Sequence, residues 1–368
     1  LSYALLSADL QTLWRQLSVF PGDFDWQAAA AVWDVEREPV EDALDALTRR
    51  SLIACRDATE DGARYTLHDL ARLWAGEQAS DDERAASATR HAEHYEQVLR
   101  AAKERYKQGN DGILAGLALY DREVHNIHAG RQRMEDLMMS DLEISSQSPN
   151  LKSTNLTSEY PDAGAYLLDL RLHPRKKIRW LEAALRAARA LGRRSTEGVH
   201  LGNLGNAYLA LGDARRAIEF YEQALVIDRE IGDRRGEGAD LGNLGNAYAA
   251  LGDARRAIEF YEQRLVIARE IGDRRGEAIC LENFGEAYLI LNDPQHTLEF
   301  CKCALAMFKE MESRDGEGYA LFTIAQALDK LGERSQAIVH AESSLKIREQ
   351  IESPEAAKVR DLLAKWRG

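Results

Sequence analysis

The chain has 368 residues, enough for two or three domains, and its 45% hydrophobic and 30% charged content with few aromatics describes a helix-rich globular protein rather than a disordered one. A net charge of −13 argues against a general affinity for nucleic acid or anionic membrane, and no apolar run approaches the ~20 residues needed to span a bilayer.

Residues 1–78 are expected to form one small domain. Helical stretches are predicted over 8–18, 26–34 and 38–49. A short apolar run at 52–55, a polar turn through 60–62 and a second run at 64–67 follow, with another helix starting near Asp69. Three helices and a β-hairpin make a winged helix, a relative of the helix-turn-helix. DNA readout is rejected for it. Residues 1–78 hold seven arginines, no lysine and fourteen acids, and the helix that would enter a groove leads with Glu41, Asp42 and Asp45. Acids there would face phosphates.

The phrases "LSVFPGDFDWQAAAAVW", "ALDALTRRSLI" and "RYTLHDLARLWA" resemble the winged-helix part of NB-ARC-type STAND signalling ATPases. In that family a histidine-aspartate pair, usually preceded by methionine, opens the helix after the wing, and the histidine contacts the phosphate of bound ADP. Leu67, His68 and Asp69 hold that motif here, with leucine for methionine. The resemblance implies that His68 senses nucleotide and that Asp69 helps to place it. The other reading is a histidine that merely caps or packs at the end of the hairpin. No G-x-x-x-x-G-K-[ST] occurs in the chain, so neither ATP hydrolysis nor a cofactor is expected in it. The nucleotide-binding domain, with its ADP or ATP, would precede Leu1 in a longer protein, most simply a bacterial one.

Residues 79–140 are expected to form a helical arm, one helix running to Tyr106, a glycine-rich break at 109–116, and another helix over 118–138. His91/His94 and His125/His128 lie at i, i+3, a spacing that can ligate metal. No cysteine or ordered carboxylate pattern accompanies them, so packing or exposed histidines are the preferred reading and no metal is assigned. Residues 141–158, rich in Ser, Asn and Thr, read as a flexible loop.

From 159 to 368 the chain repeats with a period of forty. "LGNLGNAY" stands at 201–208 and again at 241–248, and the copies 201–238 and 241–278 differ at four positions: Leu209/Ala249, Ala224/Arg264, Asp228/Ala268 and Gly238/Ala278. Looser copies start at Leu281 and Leu321, and half of an earlier one shows at 178–198. Such a period signals a solenoid. Each unit reads as two helices punctuated by "GD", glycine ending one helix and aspartate capping the next. Ser353 as N-cap and Pro354 at the first helical position would open a final capping helix.

Leu201, Leu204, Gly205, Tyr208, Gly212, Ala217, Tyr221 and Ala224 sit at the offsets of the tetratricopeptide repeat, and the longer unit resembles the kinesin-light-chain-like branch of that family. The resemblance implies a mainly α protein whose second part is a right-handed α-solenoid with a concave groove lined by the first helix of each pair. Asparagine is a middling helix former. Yet Asn203 and Asn206, then Asn243 and Asn246, stand mid-helix and three apart, beside the apolar stripe. Asn283, Glu286 and Gln326 continue the row. Amides in a groove can grip the backbone of a protein or peptide ligand. Alternatively they bond only between neighbouring helices. The recurring arginine pairs, as at Arg234/Arg235, are expected to be solvated surface.

The expected function is ligand sensing and autoregulation in a STAND switch, with oligomerisation of the whole protein on activation. The alternative is a constitutive scaffold with a purely structural winged helix. Four scattered cysteines and no leader-like segment suggest a reducing cytoplasm.

Overall fold

A computed structural model describes residues 3–59, 62–109, 111–144, 151–351 and 353–367. Contacts divide the chain after Arg193 into two compact units.

In the first unit, α1 (Ala8–Gln16) runs into a 3-10 turn (Leu17–Val19), followed by α2 (Trp26–Trp33), α3 (Arg37–Arg49), β1 (Ala54–Thr59), β2 (Gly62–Thr66) and α4 (Asp69–Gln78). Ser7 and Asp25 cap α1 and α2 by accepting from Leu10 N–H and Ala28 N–H. The two strands pair antiparallel, Ala54 opposite Thr66. Trp14, Leu17, Phe20, Phe24, Leu44 and Leu47 fill the core. The indoles of Trp14 and Trp33 donate to the carbonyls of Leu52 and Leu13, so neither polar tip is stranded. Three helices and a hairpin are the winged helix expected from the sequence.

The arm consists of α5 (Asp81–Lys107) and α6 (Asp111–Ile144), which pack along each other. A complete capping box of Ser80 and Glu83 opens α5. The expected break at 109–116 is shorter than that: among its described residues Gly109 alone has positive φ, at 73°, and Gly116 is helical. Its role is close approach, since a Cβ there would stand 2.6 Å from the carbonyl oxygen of Ala102.

The expected loop at 141–158 is corrected. Helix α6 continues to Ile144, and α7 covers Leu151–Ala163. Residues 145–150 of that segment lie outside the described residues. Ser153, Thr154, Thr157 and Ser158 are buried in α7, so tertiary packing overrides their weak helical propensity. Two more helices, α8 (Ala165–Arg171) and α9 (Pro174–Ala190), complete the unit.

The second unit is a stack of hairpins: α10 (Arg194–Ala210) with α11 (Ala214–Ile231), α12 (Arg234–Ala250) with α13 (Ala254–Glu270), α14 (Arg274–Ile290) with α15 (Pro294–Glu310), and α16 (Arg314–Lys330) with α17 (Arg334–Gln350). This is the expected α-solenoid. Gly212, Gly252 and Gly332 turn the chain at φ near 80°, and Asn292 does so at 60° in the third hairpin. Asp213, Asp253 and Asp293 then cap the second helices, accepting from N–H groups three residues on. An ion pair ties together the two helices of each of the first three hairpins: Arg194 of α10 reaches Glu230 of α11 at 2.7 Å, Arg234 of α12 reaches Glu270 of α13, and Arg274 of α14 reaches Glu310 of α15 at 2.8 Å. Arg234 and Arg274, the first arginines of the pairs at 234/235 and 274/275, are therefore ion-pair partners rather than free surface. The final helix, α18 (Ala356–Arg367), starts later than expected. Ser353 is not its N-cap; its hydroxyl instead accepts from Glu355 N–H at 3.3 Å in a local turn.

Candidate functional site

Two places answer to the residues singled out in the sequence, one in each unit. In the first, His68 is the N-cap of α4, with φ −62° and ψ 141°. Its Nδ1 accepts from Leu70 N–H at 3.3 Å, which leaves the ring proton on Nε2, and the side chain is exposed. Asp69, the first helical residue, accepts from Arg72 Nη2 at 3.1 Å. Beyond them Leu70, Leu73 and Trp74, 71%, 60% and 41% exposed, form an apolar stripe along α4 at i, i+3 and i+4. An imidazole donor thus stands at the end of an uncovered apolar strip.

In the second unit the asparagines divide into two kinds. Asn206 Oδ1 accepts from the Tyr221 hydroxyl at 2.8 Å, and Asn246 Oδ1 from Tyr261 at 2.8 Å. Burial holds both phenols above their usual pKa, so they remain donors. The tyrosines reach across because Gly205 and Gly245 face their rings, where a Cβ would overlap the aromatic carbons. These asparagines therefore brace the two helices of a hairpin, while their exposed amide ends point outward. Asn283 Nδ2 donates to Asn246 Oδ1 at 3.2 Å and so links the third hairpin to the second. Asn203, Asn243 and Gln326 are half-buried and make no side-chain hydrogen bond among the described residues.

Asn246, Asn283 and Glu286 come together in a concavity of about 540 Å3 between the second, third and fourth hairpins; Asn203, Asn206, Asn243 and Gln326 do not line it. Sequence reading missed Glu282, which lines it one helical turn before Glu286. Burial raises the Glu282 carboxyl above the usual range, and its neighbour Glu286 raises it further; burial also raises Glu286. Thr323 Oγ1 donates to Glu282 at 3.5 Å. The signal was present, because Glu282 replaces the glycine of the first two copies, Gly202 and Gly242. Arg275, Ile279 and Tyr319 complete a mixed polar and apolar wall suited to an extended chain carrying both kinds of group. Of the paired histidines in the arm, His91 is fully buried against Phe20 and Tyr95, and burial pushes its pKa well down.

Residues 6–80 match the model of a winged helix-turn-helix domain, and residues 201–235 and 238–310 match models of the tetratricopeptide repeat. No curated protein matches the sequence. Among solved structures, the chain is similar to a signal-transduction ATPase with numerous domains (STAND) carrying a tetratricopeptide repeat sensor, from Pyrococcus horikoshii. Identity is 18% and the TM-score 0.48, over 97% of this chain but 53% of that one, so the present chain spans about half its length. Aspartyl phosphate phosphatase F from Bacillus subtilis is 14% identical over 77% of this chain and 79% of its own, with a TM-score of 0.55. A Rap protein complexed with competence and sporulation factor is 14% identical over 76% of this chain and 87% of its own, with a TM-score of 0.50. At these identities the likeness is one of fold. Among the described residues no helix is long and apolar enough to cross a membrane. The chain is a winged-helix domain followed by tetratricopeptide repeats, the second a module of protein–protein interaction.

Proposed function

We propose that this chain is the sensing and autoregulatory part of a STAND-type switch ATPase, in which the groove of the repeats binds a protein or peptide trigger and the winged helix holds an ADP-bound resting state. The observation that carries it is His68. The histidine of the Leu67-His68-Asp69 motif caps α4, is exposed, and offers Nε2–H outward beside the uncovered stripe of Leu70, Leu73 and Trp74. A nucleotide-binding domain seated on that stripe would bring an ADP phosphate to this N–H donor at a helix N-terminus, where anions are favoured. The bound nucleotide would supply the charge; this chain's part is to hold one hydrogen-bond donor at a set angle. Trigger binding would loosen that contact, and exchange and assembly of the cytoplasmic protein would follow. The outward acids of α3, among them Glu41, Asp42 and Asp45, favour no role in DNA reading.

In the protein that includes the nucleotide-binding domain, His68→Ala is expected to release ADP at least about tenfold faster, the loss of one charge-assisted hydrogen bond. Retention equal to that of the native protein would sink the proposal. The constitutive-scaffold reading draws on the bonds from Tyr221 to Asn206 and from Tyr261 to Asn246, which give two asparagines a structural task. The two readings part on one comparison. Asn203→Ala with Asn243→Ala breaks no internal bond, so it is expected to leave Tm within about 1 °C, whereas Asn246→Ala frees a buried phenol and costs about 1 kcal/mol. If the double variant keeps every partner of the native repeats in quantitative capture, Asn203 and Asn243 are not ligand contacts, and the groove reading falls back on Asn246, Asn283 and Glu286 of the concavity.

A further inference from the structure

A second cavity, of about 900 Å3, lies wholly inside the first unit, bounded by the end of α1 and its 3-10 turn, by α4, by the first turns of α5 and by α6. Four arginines line it, and two of them are occupied. Arg15 is held by Glu83 at 2.7 Å, and Arg84 by Asp81 and by the carbonyl of Gly76 at 3.0 Å. The other two are not. Arg72 spends only Nη2, on Asp69, and its Nε is buried without an acceptor. Arg133 makes no ion pair or hydrogen bond among the described residues, and its Nη1 is buried and unsatisfied. The remaining acid of the wall, Asp136, accepts from Gln132 at 2.9 Å.

Two further orphans line the same cavity. Ser87, 3% exposed, has an unpaired hydroxyl, and Gln16 has an unpaired amide oxygen. Four buried polar atoms without partners at one cavity are unusual, since such atoms are normally satisfied. Burial and then the nearness of Arg72 outweigh the opposite pull of Asp136 and bring the Arg133 pKa down to about 10, which still leaves it charged at neutral pH. An unpaired buried charge facing a second charge of the same sign is costly, and an anion between them relieves both.

We propose that this cavity binds a phosphate-bearing small molecule, its anionic oxygens between Arg72 and Arg133 with the Ser87 hydroxyl donating to them, and a hydroxyl of the ligand donating to Gln16 Oε1. Guanidinium pairs suit a phosphate's fixed oxygen geometry. The hydroxyl requirement selects a phosphorylated sugar or nucleotide over bare phosphate, and the volume admits a mononucleotide. His68 is not part of the wall, so the site is separate from the proposed ADP contact and stands whether or not that contact exists.

Calorimetry on the 368-residue chain would use inorganic phosphate, ribose 5-phosphate, AMP and, as the uncharged control, adenosine. Binding of either phosphorylated ribose, weaker binding of phosphate and none of adenosine are expected. Arg133→Met removes the unpaired charge, so it should raise the Tm of the free chain and weaken ribose 5-phosphate at least about tenfold. Ser87→Ala, a small change that leaves the arginines in place, should weaken it several-fold and serves if Arg133→Met does not fold. No heat from any phosphate at 10 mM, at roughly the upper limit of a useful affinity, would overturn the proposal, as would equal binding by the Arg133→Met or Ser87→Ala chain.

Discussion

Arg64→Met is expected to destabilise the first unit by about 3–5 kcal/mol, the usual cost of stripping one member from a buried charge network. Arg64 stands on β2 with its guanidinium reaching Glu123 of α6 at 2.7 Å, Asp23 at 2.6 Å and Asp25 at 3.7 Å. Burial opposes the charge on Arg64, but its hydrogen bonds to the carboxylates of Glu123 and Asp23 more than offset it, and its pKa is raised. The Glu123 side chain is only 4% exposed, so without Arg64 its charge has no water to turn to; among the described residues Arg122 Nε, at 3.1 Å, is the other cation paired with it. Asn126 adds a bond from α6 to the Asp23 carbonyl at 2.9 Å. This cluster ties wing to arm, so the variant should loosen both together. Five of the six tryptophans, Trp14, Trp26, Trp33, Trp74 and Trp180, lie in the first unit, and their fluorescence in a urea titration reads it nearly alone. Adding Glu123→Met to Arg64→Met should restore most of the loss, because the stranded charge goes with its partner. A single variant within about 1 kcal/mol of the native chain would mean that the cluster is solvated surface.

The solenoid was legible because its signals are local and repeated. The period, the "GD" punctuation and the glycines facing tyrosines all lie within forty residues of each other. Even the Asn–Tyr brace could be read: the partners stand fifteen apart in both near-identical copies, and in the third both change together, to Glu286 and Cys301. The winged helix was legible by pattern, but the strands lay off by a few residues, because the hairpin's pairing depends on contacts such as the bridge of Phe24 to Tyr65. Segment 151–158 was misread as loop, since Ser and Thr favour turns only until their surroundings bury them. The orphaned arginine cavity was invisible in the sequence. Arg72, Ser87 and Arg133 come from three helices with no shared spacing, and only packing brings them to one wall.

Among the four differences between the two near-identical copies, Asp228 against Ala268 has the largest consequence. Asp228 on α11 meets Asp240 on α12, both nearly buried, and their carboxyls share a hydrogen bond. One copy later the same two places hold Ala268 and Cys280, so this pair belongs to one hairpin junction and not to the repeat. Burial and then the charge of Asp228 push Asp240 up to about 8; burial and then Asp233 push Asp228 up to about 6. Both shifts are upward, so the folded chain keeps protons that the unfolded chain has released. The stabilisation is complete below about pH 4, the ordinary range of an aspartate, and is lost as pH rises through about 6 and then about 8. Asp240→Asn keeps the shape, still donates to Asp228, and cannot ionise. The variant should therefore match the native chain within about 1 kcal/mol at pH 4.5 and exceed it by about 3 kcal/mol at pH 8.5, several degrees of Tm. Calorimetric melts of the two chains across that range measure the difference directly. A gap that stays constant with pH would show the pair ionised throughout, with water reaching the junction between α11 and α12.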